Sequence, residues 1–336
     1  MKSTLLNSYK PTFLVLWGGG LGDALVLRPM LQAIERAGFE LVMASRGNHA
    51  TSVIAEMGIQ AKRVHLSSMP LAALRELRLL RPIEVAYVCP HASIKTRVLA
   101  WLSGARKIWA SHPGHGSEFI GTSISNDSVR LGLQREVPQS YGDPPFFVGR
   151  SPLPPRADHT LIFHPGARAA WQTTRWPESH WIELLRRTSA LVQHHIVLVG
   201  SADEADMLTR IKRAAGNIDR VTIVVGASLH YMESLISNSE LVVCHNSGVM
   251  HIAAALKKST LIITGSSATY WRPAFDWCHS ISSGQCELAC NKRKCPIPTY
   301  EARCINGLVV EQVFSMLKGL LADTRPGDLS ITQPDV

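Results

Sequence analysis

A glycine-rich run near the start of the chain ends in a single carboxylate. The apolar residues 14–17 lead into a run that consists of Gly18, Gly19, Gly20, Leu21, Gly22 and Asp23. Glycines let a ligand approach the main chain closely, and amide groups at the start of a helix favour anionic ligands. A carboxylate in this loop would repel a phosphate, so the run predicts either proton transfer by Asp23 or a helix cap at this residue.

Four closely spaced cysteines form a second group that could do chemistry. They are Cys286, Cys290, Cys295 and Cys304, and Cys278, His279, Lys292, Arg293 and Lys294 lie beside or among them. Four thiolates can bind zinc or iron, although tetrahedral zinc sites usually contain more tightly spaced cysteine pairs. Two interpretations therefore stay open, a structural zinc or iron site and a loop of free thiols that is prone to oxidation.

Alternating apolar and amphipathic segments must position these residues. Strands are predicted at residues 13–17, 40–44, 62–66 and 85–89, with helices at 29–37, 49–57 and 71–80. The same alternation restarts with strands at 160–164, 196–200, 221–225, 241–244 and 260–264, and helices at 180–192, 203–215, 231–237 and 248–256. This alternation is typical of parallel sheets that are covered by helices on both faces.

The length of the chain and a proline-rich break predict two domains. A chain of 336 residues exceeds the usual size of one domain, and residues 151–159 contain three prolines. We expect a Rossmann-like domain at 1–150, a linker at 151–159, a second Rossmann-like domain at 160–322 with a cysteine-rich segment at 278–304, and a flexible tail at 323–336. Two such doubly wound domains would face a central cleft, because open α/β sheets bind ligands beyond their strand ends.

The composition disfavours several classes of protein. Hydrophobic residues make up 46% of the chain and charged residues 18%, and no apolar run is long enough to span a bilayer. The first residues lack the apolar core of a signal peptide, so we expect a cytoplasmic protein. The net charge is +9, and residues 1–159 hold 18 Lys and Arg against 11 Asp and Glu. This excess predicts an anionic partner, but no basic stripe interleaved with aromatic residues indicates nucleic acid.

Four motifs follow one another along the chain in a specific order and spacing. They are Gly20-Leu21-Gly22-Asp23 with Pro29 after it, His164-Pro165-Gly166-Ala167 with Arg175-Trp176-Pro177 and Trp181 after it, Leu198-Val199-Gly200 with Glu204 after it, and residues 246–256. Together they resemble glycosyltransferase family nine, the ADP-heptose:lipopolysaccharide heptosyltransferases. The resemblance implies the two-domain GT-B fold, with the acceptor sugar on the N-terminal domain and the nucleotide sugar on the C-terminal one.

The resemblance assigns the central chemical step to Asp23. The matching aspartate of the family is the proposed general base, which takes a proton from the acceptor hydroxyl so that this oxygen displaces ADP with inversion. Gly20, Leu21 and Gly22 would form the acceptor-side loop. Because the chain contains no Asp-x-Asp pair, catalysis is expected to need no metal or other cofactor. The implied partners are ADP-heptose, an anionic saccharide such as the lipopolysaccharide inner core, and the inner face of the inner membrane, to which the basic half would bind peripherally.

The donor site implied by the resemblance lies in the second domain. It consists of His164, Gly166, Arg168, Thr174, Arg175, Gly200, Glu204, Asn246, Ser247, Gly248, Met250 and His251. The leaving diphosphate needs cations or backbone amides, for which Arg168, Arg175 and the amides of residues 247–249 are candidates. Arg175 reaches this site only if its loop is irregular, because it would otherwise leave an extended segment on the opposite face. Thr174 stands where the family usually has lysine, and Asn246 stands where it commonly has aspartate.

Several of these residues also have a structural interpretation. Glu204 could accept hydrogen bonds from a ribose diol or could simply be favoured in the first turn of its helix. Asn246 could lie beside the diphosphate or cap the following helix. A histidine inside a helix is more often structural than catalytic, which is the expectation for His251. Among the nearby tryptophans, two are predicted core residues and one could line the donor site, namely Trp176 and Trp181 for the core and Trp171 for the site.

Other functions stay open at this stage. The same fold could use another nucleotide sugar or a different acceptor, either a protein or a small molecule. The departures at Thr174 and Asn246 also allow an inactive sugar-nucleotide-binding or metal-sensing relative. A nicotinamide-dependent dehydrogenase is disfavoured because the glycines are not spaced as G-x-G-x-x-G. In addition, the second predicted strand ends on Ala44, Ser45 and Arg46 where that class needs an acidic residue.

Overall fold

The computed structural model describes residues 10–17, 19–45, 48–66, 70–80, 82–90, 92–111, 119–137, 141–149, 159–167, 172–265, 271–285, 294–297, 299 and 301–323. The chain divides into two compact units, residues 1–150 and residues 151–336. Each unit contains one parallel β-sheet with helices between its strands. The predicted α/β class with two parallel-sheet domains is confirmed.

The first unit contains a five-stranded sheet in the order β3-β2-β1-β4-β5. Its strands are β1 (Thr12–Leu16), β2 (Glu40–Ser45), β3 (Lys62–His65), β4 (Ile83–Val88) and β5 (Lys107–Ala110). Its helices are α1 (Leu21–Arg36), α2 (Asn48–Glu56), α3 (Pro70–Leu79), α4 (Ile94–Leu102) and α5 (Ile120–Arg130). All five residues of the central strand β1 are buried, as expected for a parallel strand that is covered on both faces.

The second unit contains a six-stranded sheet in the order β11-β10-β9-β6-β7-β8. Its strands are β6 (Thr160–His164), β7 (His195–Gly200), β8 (Val221–Val225), β9 (Leu241–His245), β10 (Ser259–Ile263) and β11 (Cys278–Ile281). Its α-helices are α6 (Glu178–Leu191), α7 (Ala205–Ala214), α8 (Leu229–Ser237), α9 (Gly248–Ala255), α10 (Arg303–Asn306) and α11 (Val310–Asp323). Apolar side chains from the sheet, α6, α7 and α11 form one core cluster.

In both sheets the order of strand addition reverses beside the first strand. β2 and β3 lie on one side of β1, whereas β4 and β5 lie on the other. In the second sheet β7 and β8 lie on one side of β6, and β9, β10 and β11 lie on the other. The loops after β1 and β6 therefore follow strands at topological switch points, which is where open α/β sheets bind ligands. Asp23 and Gly166 follow these two strands.

The predicted elements and the observed ones agree only in part. Strands β6 and β8 coincide with their predictions, but α1 begins at Leu21 rather than at residue 29. Six observed elements have no predicted counterpart, namely α4, β5, α5, β11, α10 and α11. Residues 151–158 of the predicted linker and residues 324–336 of the predicted tail lie outside the described residues. Within the described part of the chain, no helix has the length and apolar character needed to cross a bilayer.

Candidate functional site

The loop after β1 brings the Asp23 carboxylate back over its own glycines. α1 begins at Leu21 with Gly20 as its N-cap residue, so Asp23 lies in the first helical turn. The N–H of Gly20 donates to Asp23 Oδ2 at 2.5 Å. A Cβ atom at Gly19 would overlap the Asp23 carboxylate, so this close approach requires a glycine. Asp23 is therefore not the N-cap residue, because its carboxylate reaches back to the helix start from inside the first turn.

The buried residues Tyr87 and Cys89 lie near the carboxyl end of β4, at the same edge of the first sheet as the loop after β1. The N–H of Cys89 donates to the Leu16 carbonyl at 3.2 Å. Burial, and after it the charges of Asp23 and Asp127, raise the pKa of the Cys89 thiol, which therefore stays neutral. The Tyr87 hydroxyl donates to Asp127 Oδ2 at 3.0 Å. The sequence motifs do not include Tyr87, Cys89 or Asp127, because no other motif residue lies near any of them in the sequence.

A second carboxylate folds over glycines in the other unit. Glu204 ends a short 3-10 helix, Ala202–Glu204, and its Oε2 accepts the N–H of Ser201 at 2.9 Å. A Cβ atom at Gly166 would overlap the Glu204 carboxylate, and one at Gly200 would lie 3.0 Å from Glu204 Oε2. The Glu204 side chain is buried. The loops after β6 and β7 can therefore enclose this carboxylate only because both positions are glycine.

Arg175 lies beside this carboxylate. It follows an irregular 3-10 turn, Gln172–Thr174, and its Nε donates to the Ala167 carbonyl at 2.9 Å. A terminal guanidinium nitrogen donates to the same oxygen and also lies 3.4 Å from Glu204 Oε1. The irregular loop that Arg175 needs to reach the predicted site is therefore present. The neighbouring Thr174 is buried.

His164 ends β6 between the Glu204 carboxylate and the start of α9. Its Nε2 lies 3.9 Å from Glu204 Oε2, and its Nδ1 lies 3.1 Å from the Ser247 hydroxyl. Burial, and after it the positive charge of Arg175, lower the pKa of His164 to about 4. His164 is thus a neutral imidazole at neutral pH, and it connects the loop after β6 to α9.

His245, the last residue of β9, is not among the site residues predicted from the sequence. The Trp176 N–H donates to His245 Nε2 at 2.9 Å, so Nδ1 carries the proton and donates to the Gly166 carbonyl at 3.2 Å. Burial lowers the pKa of His245 to about 3. Trp176 and Trp181 are 2% and 1% exposed, which confirms them as core residues. A polar residue at the end of an apolar strand, directly before the motif at 246–256, is the signal that could have revealed His245.

Helix α9 begins at the carboxyl end of β9. Its N-cap residue is Ser247, whose side chain does not cap the helix, so the interpretation of Asn246 as the N-cap is wrong. Asn246 is half-buried. Met250 and His251 are buried, and burial lowers the pKa of His251 to about 4. The first amides of an α-helix have no partner within the helix, which makes the α9 start a favourable place for an anion.

Part of the predicted site lies outside the described residues, namely Arg168, Trp171, Cys286 and Cys290. Cys295 is half-buried, and its thiol donates to the Ile297 carbonyl at 3.2 Å. Cys304 is buried in the core cluster of the second unit, which Cys295 also contacts. Metal binding by the cysteines therefore stays a prediction.

Comparison with known proteins relates the second unit to a family of enzymes. Residues 139–301 match glycosyltransferase family 9 (heptosyltransferase). Lipopolysaccharide heptosyltransferase 1 of Pseudomonas aeruginosa is 28% identical over 186 residues, which cover 54% of this chain and 50% of that protein. The chain thus aligns with about half the length of this curated relative. The predicted resemblance to family nine is confirmed.

Solved structures of similar fold cover most of the chain. A family 9 glycosyltransferase from Veillonella parvula has a TM-score of 0.71 and 13% identity, covering 93% of this chain and 98% of its own. ADP-heptose lps heptosyltransferase II of E. coli has a TM-score of 0.64 and 17% identity, covering 93% and 99%. The iron-containing dodecameric glycosyltransferase TibC of enterotoxigenic E. coli has a TM-score of 0.56 and 12% identity, covering 94% and 77%. These likenesses confirm the GT-B fold class.

Proposed function

We propose that this protein is an inverting glycosyltransferase that moves heptose from ADP-heptose to an anionic saccharide, such as the lipopolysaccharide inner core. One observation carries the proposal. The segment that matches heptosyltransferases contains His164, Arg175, Glu204 and Ser247, and these side chains form one connected group at the carboxyl end of β6. The curated relative and one of the similar structures are named for the same transfer.

The donor would bind in the second unit. Its diphosphate gains negative charge as the sugar leaves, and the amides at the α9 start and the Arg175 guanidinium can stabilise that charge. Arg175 is already fixed by the Ala167 carbonyl and Glu204, so little side-chain entropy remains to be lost on binding. Glu204 would accept hydrogen bonds from the ribose hydroxyls. No metal is needed in this arrangement, because cations and amides supply the electrostatic stabilisation.

The acceptor would bind to the first unit, with Asp23 as the general base. The Asp23 carboxylate takes the proton of the acceptor hydroxyl while the hydroxyl oxygen forms a bond to the anomeric carbon. The bond from that carbon to the diphosphate oxygen breaks on the opposite face, and ADP leaves with the electron pair. The hydrogen bond from Gly20 orients the carboxylate for this step. The excess of Lys and Arg in residues 1–159 favours a phosphorylated acceptor and peripheral binding to the anionic inner face of the inner membrane.

The proposal is tested by the release of ADP from ADP-heptose in the presence of a phosphorylated inner-core saccharide. Asp23→Ala is expected to abolish turnover and to leave ADP binding, measured by calorimetry, near normal. Glu76→Ala, which changes an exposed carboxylate of the same unit, is the matched control and is expected to keep turnover. Turnover retained by Asp23→Ala would remove Asp23 from the mechanism. ADP binding without turnover on several donors and acceptors would instead indicate an inactive sugar-nucleotide-binding relative.

The four cysteines would hold a structural zinc or iron ion that takes no part in the transfer. Thiolates suit both metals, Cys295 and Cys304 contact the same core cluster, and a protein of similar fold is described as iron-containing. Elemental analysis of the purified protein tests this proposal directly. One metal ion per chain that is lost in Cys304→Ala supports it, whereas equal metal content in both proteins contradicts it.

A further inference from the structure

Two histidines and a glutamate meet at the amino end of the second sheet, away from the proposed donor site. His159 directly precedes β6, His194 directly precedes β7, and Glu240 directly precedes β9. These strands are neighbours in the sheet, which brings their amino ends together. The proposed donor site follows the opposite, carboxyl ends of the same strands, about 16 Å away along β6 from His159 to His164. The transfer reaction therefore does not account for this group.

The three side chains converge on one point. His194 Nε2 lies 2.9 Å from Glu240 Oε2, and His159 Nδ1 lies 3.3 Å from the same oxygen. One ligand atom from each residue lies within 4.8 Å of the other two. In a tetrahedral zinc site with bonds of about 2.0–2.1 Å, neighbouring ligand atoms are about 3.3 Å apart. The separations between Glu240 Oε2 and the two histidine nitrogens, 2.9 and 3.3 Å, are thus already close to those around a bound zinc ion.

The main chain holds two of these residues in place. The His195 N–H donates to the His159 carbonyl at 3.1 Å, and the Glu240 N–H donates to the Thr160 carbonyl at 2.8 Å. These bonds extend the sheet ladder beyond the strand ends. His159 has a φ of +56°, a left-handed conformation that is uncommon outside glycine and that often marks a functional position.

The exposure of the three side chains also suits a metal ion. The His194 side chain is 2% exposed, so its ring orientation is fixed, whereas the His159 side chain is 65% exposed. The Glu240 side chain is 16% exposed. A site of this kind has two preoriented ligands inside and one at the surface, where a water molecule can complete the coordination.

We propose that His159, His194 and Glu240 bind a divalent transition metal ion of the zinc type. Two imidazole nitrogens and a carboxylate oxygen suit Zn²⁺, Ni²⁺ or Cu²⁺, whereas Mg²⁺ and Ca²⁺ prefer sets of oxygen ligands. The bound ion would join the starts of three neighbouring strands. Because it binds the folded state only, it would raise the thermal stability of the second unit.

The experiment is a titration of untagged, metal-free protein with Co²⁺ and Zn²⁺. Co²⁺ held by nitrogen and oxygen ligands gives visible bands without the thiolate charge-transfer band, so this site is distinguished from the cysteines. The wild type is expected to bind one Co²⁺ with nitrogen and oxygen ligands. Glu240→Gln keeps an oxygen that accepts the imidazole hydrogen bonds but loses the anionic ligand. It is expected to bind this ion at least roughly tenfold more weakly.

His159→Asn and His195→Gln complete the test. His159 is at the surface, so its substitution should leave the fold intact, and it is expected to weaken binding as Glu240→Gln does. His195 is adjacent to His194, but its ring pairs with the Thr222 hydroxyl at 2.8 Å, so His195→Gln is the matched control with unchanged binding. Equal Co²⁺ and Zn²⁺ affinity in all four proteins would overturn the proposal. So would a Co²⁺ spectrum of the wild type that contains thiolate bands only.

Discussion

The loops that follow β1 and β7 share one hydrogen-bonding geometry in different surroundings. In each unit a carboxylate near a helix start accepts an amide proton from three residues earlier, Gly20 for Asp23 and Ser201 for Glu204. In each unit the carboxylate lies where a Cβ atom on a nearby glycine would stand. Asp23 is half-buried on a glycine loop, whereas Glu204 is buried and faces Arg175.

This difference teaches that a shared backbone geometry does not fix the chemistry of its carboxylate. The buried Glu204 carboxylate already accepts hydrogen bonds from Arg175 and Ser201, so it is suited to hold other groups in position. The half-buried Asp23 carboxylate is the one that an acceptor hydroxyl can reach. Under the proposed function, proton transfer therefore falls to Asp23 and donor positioning to Glu204, and the following predictions test that division.

The largest expected effect comes from exchanging each carboxylate for its amide. Asp23→Asn keeps an oxygen for the Gly20 amide but removes the base, so kcat should fall by roughly 10²–10⁴-fold. Glu204→Gln keeps an oxygen for Ser201 but loses the charge that faces Arg175. It should raise the KM for ADP-heptose by about tenfold with little change in kcat, since one charge-assisted hydrogen bond contributes about 1.5 kcal/mol or more. Steady-state kinetics with varied donor checks both values, and a loss of kcat in Glu204→Gln as large as in Asp23→Asn would contradict the division.

The next effect is a pH dependence of the second unit. His164 and His251 have pKa values lowered to about 4 by burial, from an ordinary value of 6.5. Between these values the unfolded chain binds more protons than the folded one, so stability falls as the pH is lowered from 6.5 to 4. Each histidine should contribute on the order of 3 kcal/mol at neutral pH that is lost by pH 4.

Hydrogen exchange of β6 and α9 at a series of pH values between 7 and 4 measures this loss. His251→Gln cannot be protonated in the unfolded chain, so its stability should fall less over the same pH range. Exchange in β1 is the internal reference, and an equal acid-induced loss of protection in β1 and β6 would refute the assignment of the loss to His164 and His251.

Two elements show why the sequence predicts some of the fold and misses other parts: β6 has a complete apolar pattern, whereas α5 packs through polar residues. β6 is predicted correctly because its apolar run is short and bounded by polar residues. α5 is missed because it is rich in serine and contains Asn126 and Asp127, residues that locally favour turns over helices. Ser128 Oγ donates to the Ser125 carbonyl at 2.7 Å inside the buried face of this helix. Tertiary contacts, which a single sequence does not reveal, decide this helix.

The sequence likewise predicts some residues of the candidate site but not the contacts between them. The motifs lead to Asp23, Arg175 and Glu204, because each motif marks a position in a loop. They do not predict that Asp23 reaches back to Gly20, since that depends on where α1 begins. They also miss His245, whose two hydrogen bonds go to main-chain groups that are distant in sequence. Residue types are readable from motifs, whereas contacts between loops require the fold.

A smaller effect is expected from adding a methyl group at Gly166 or Gly19, where each carboxylate approaches the main chain. Gly166→Ala places a methyl group against the buried Glu204 carboxylate, so it should lower the free energy of unfolding by about 1–3 kcal/mol. Gly19→Ala should cost at least as much stability, because a Cβ atom there would overlap the Asp23 Cβ atom, which no side-chain rotation can move. It should also lower kcat, since the base is then displaced. Chemical denaturation and the ADP-release assay measure the two effects.

Gly319→Ala is the matched control for these two glycines. Gly319 lies in α11, and a Cβ atom there would have open space, so alanine should stabilise the helix by up to about 1 kcal/mol. Combining Gly166→Ala with Glu204→Ala should recover much of the lost stability, because the second change removes the clashing group. A Gly166→Ala variant as stable as the wild type would show that the Glu204 carboxylate is free to move away from the added methyl group.

The smallest expected effect comes from replacing Ser201, the N-cap residue in the loop after β7, with glycine, the residue type of Gly20 in the loop after β1. Ser201 binds the Glu204 carboxylate through its backbone N–H, and its own side chain is not needed for that bond. Ser201→Gly should therefore change the free energy of unfolding by only a few tenths of a kcal/mol, as is usual for glycine at an N-cap (about 0.3 kcal/mol). Ser201→Pro removes the N–H at a backbone φ of −72° that proline can adopt, so it should cost clearly more. If chemical denaturation gave the two variants equal stability, the amide bond to the carboxylate would not be what the two loops have in common.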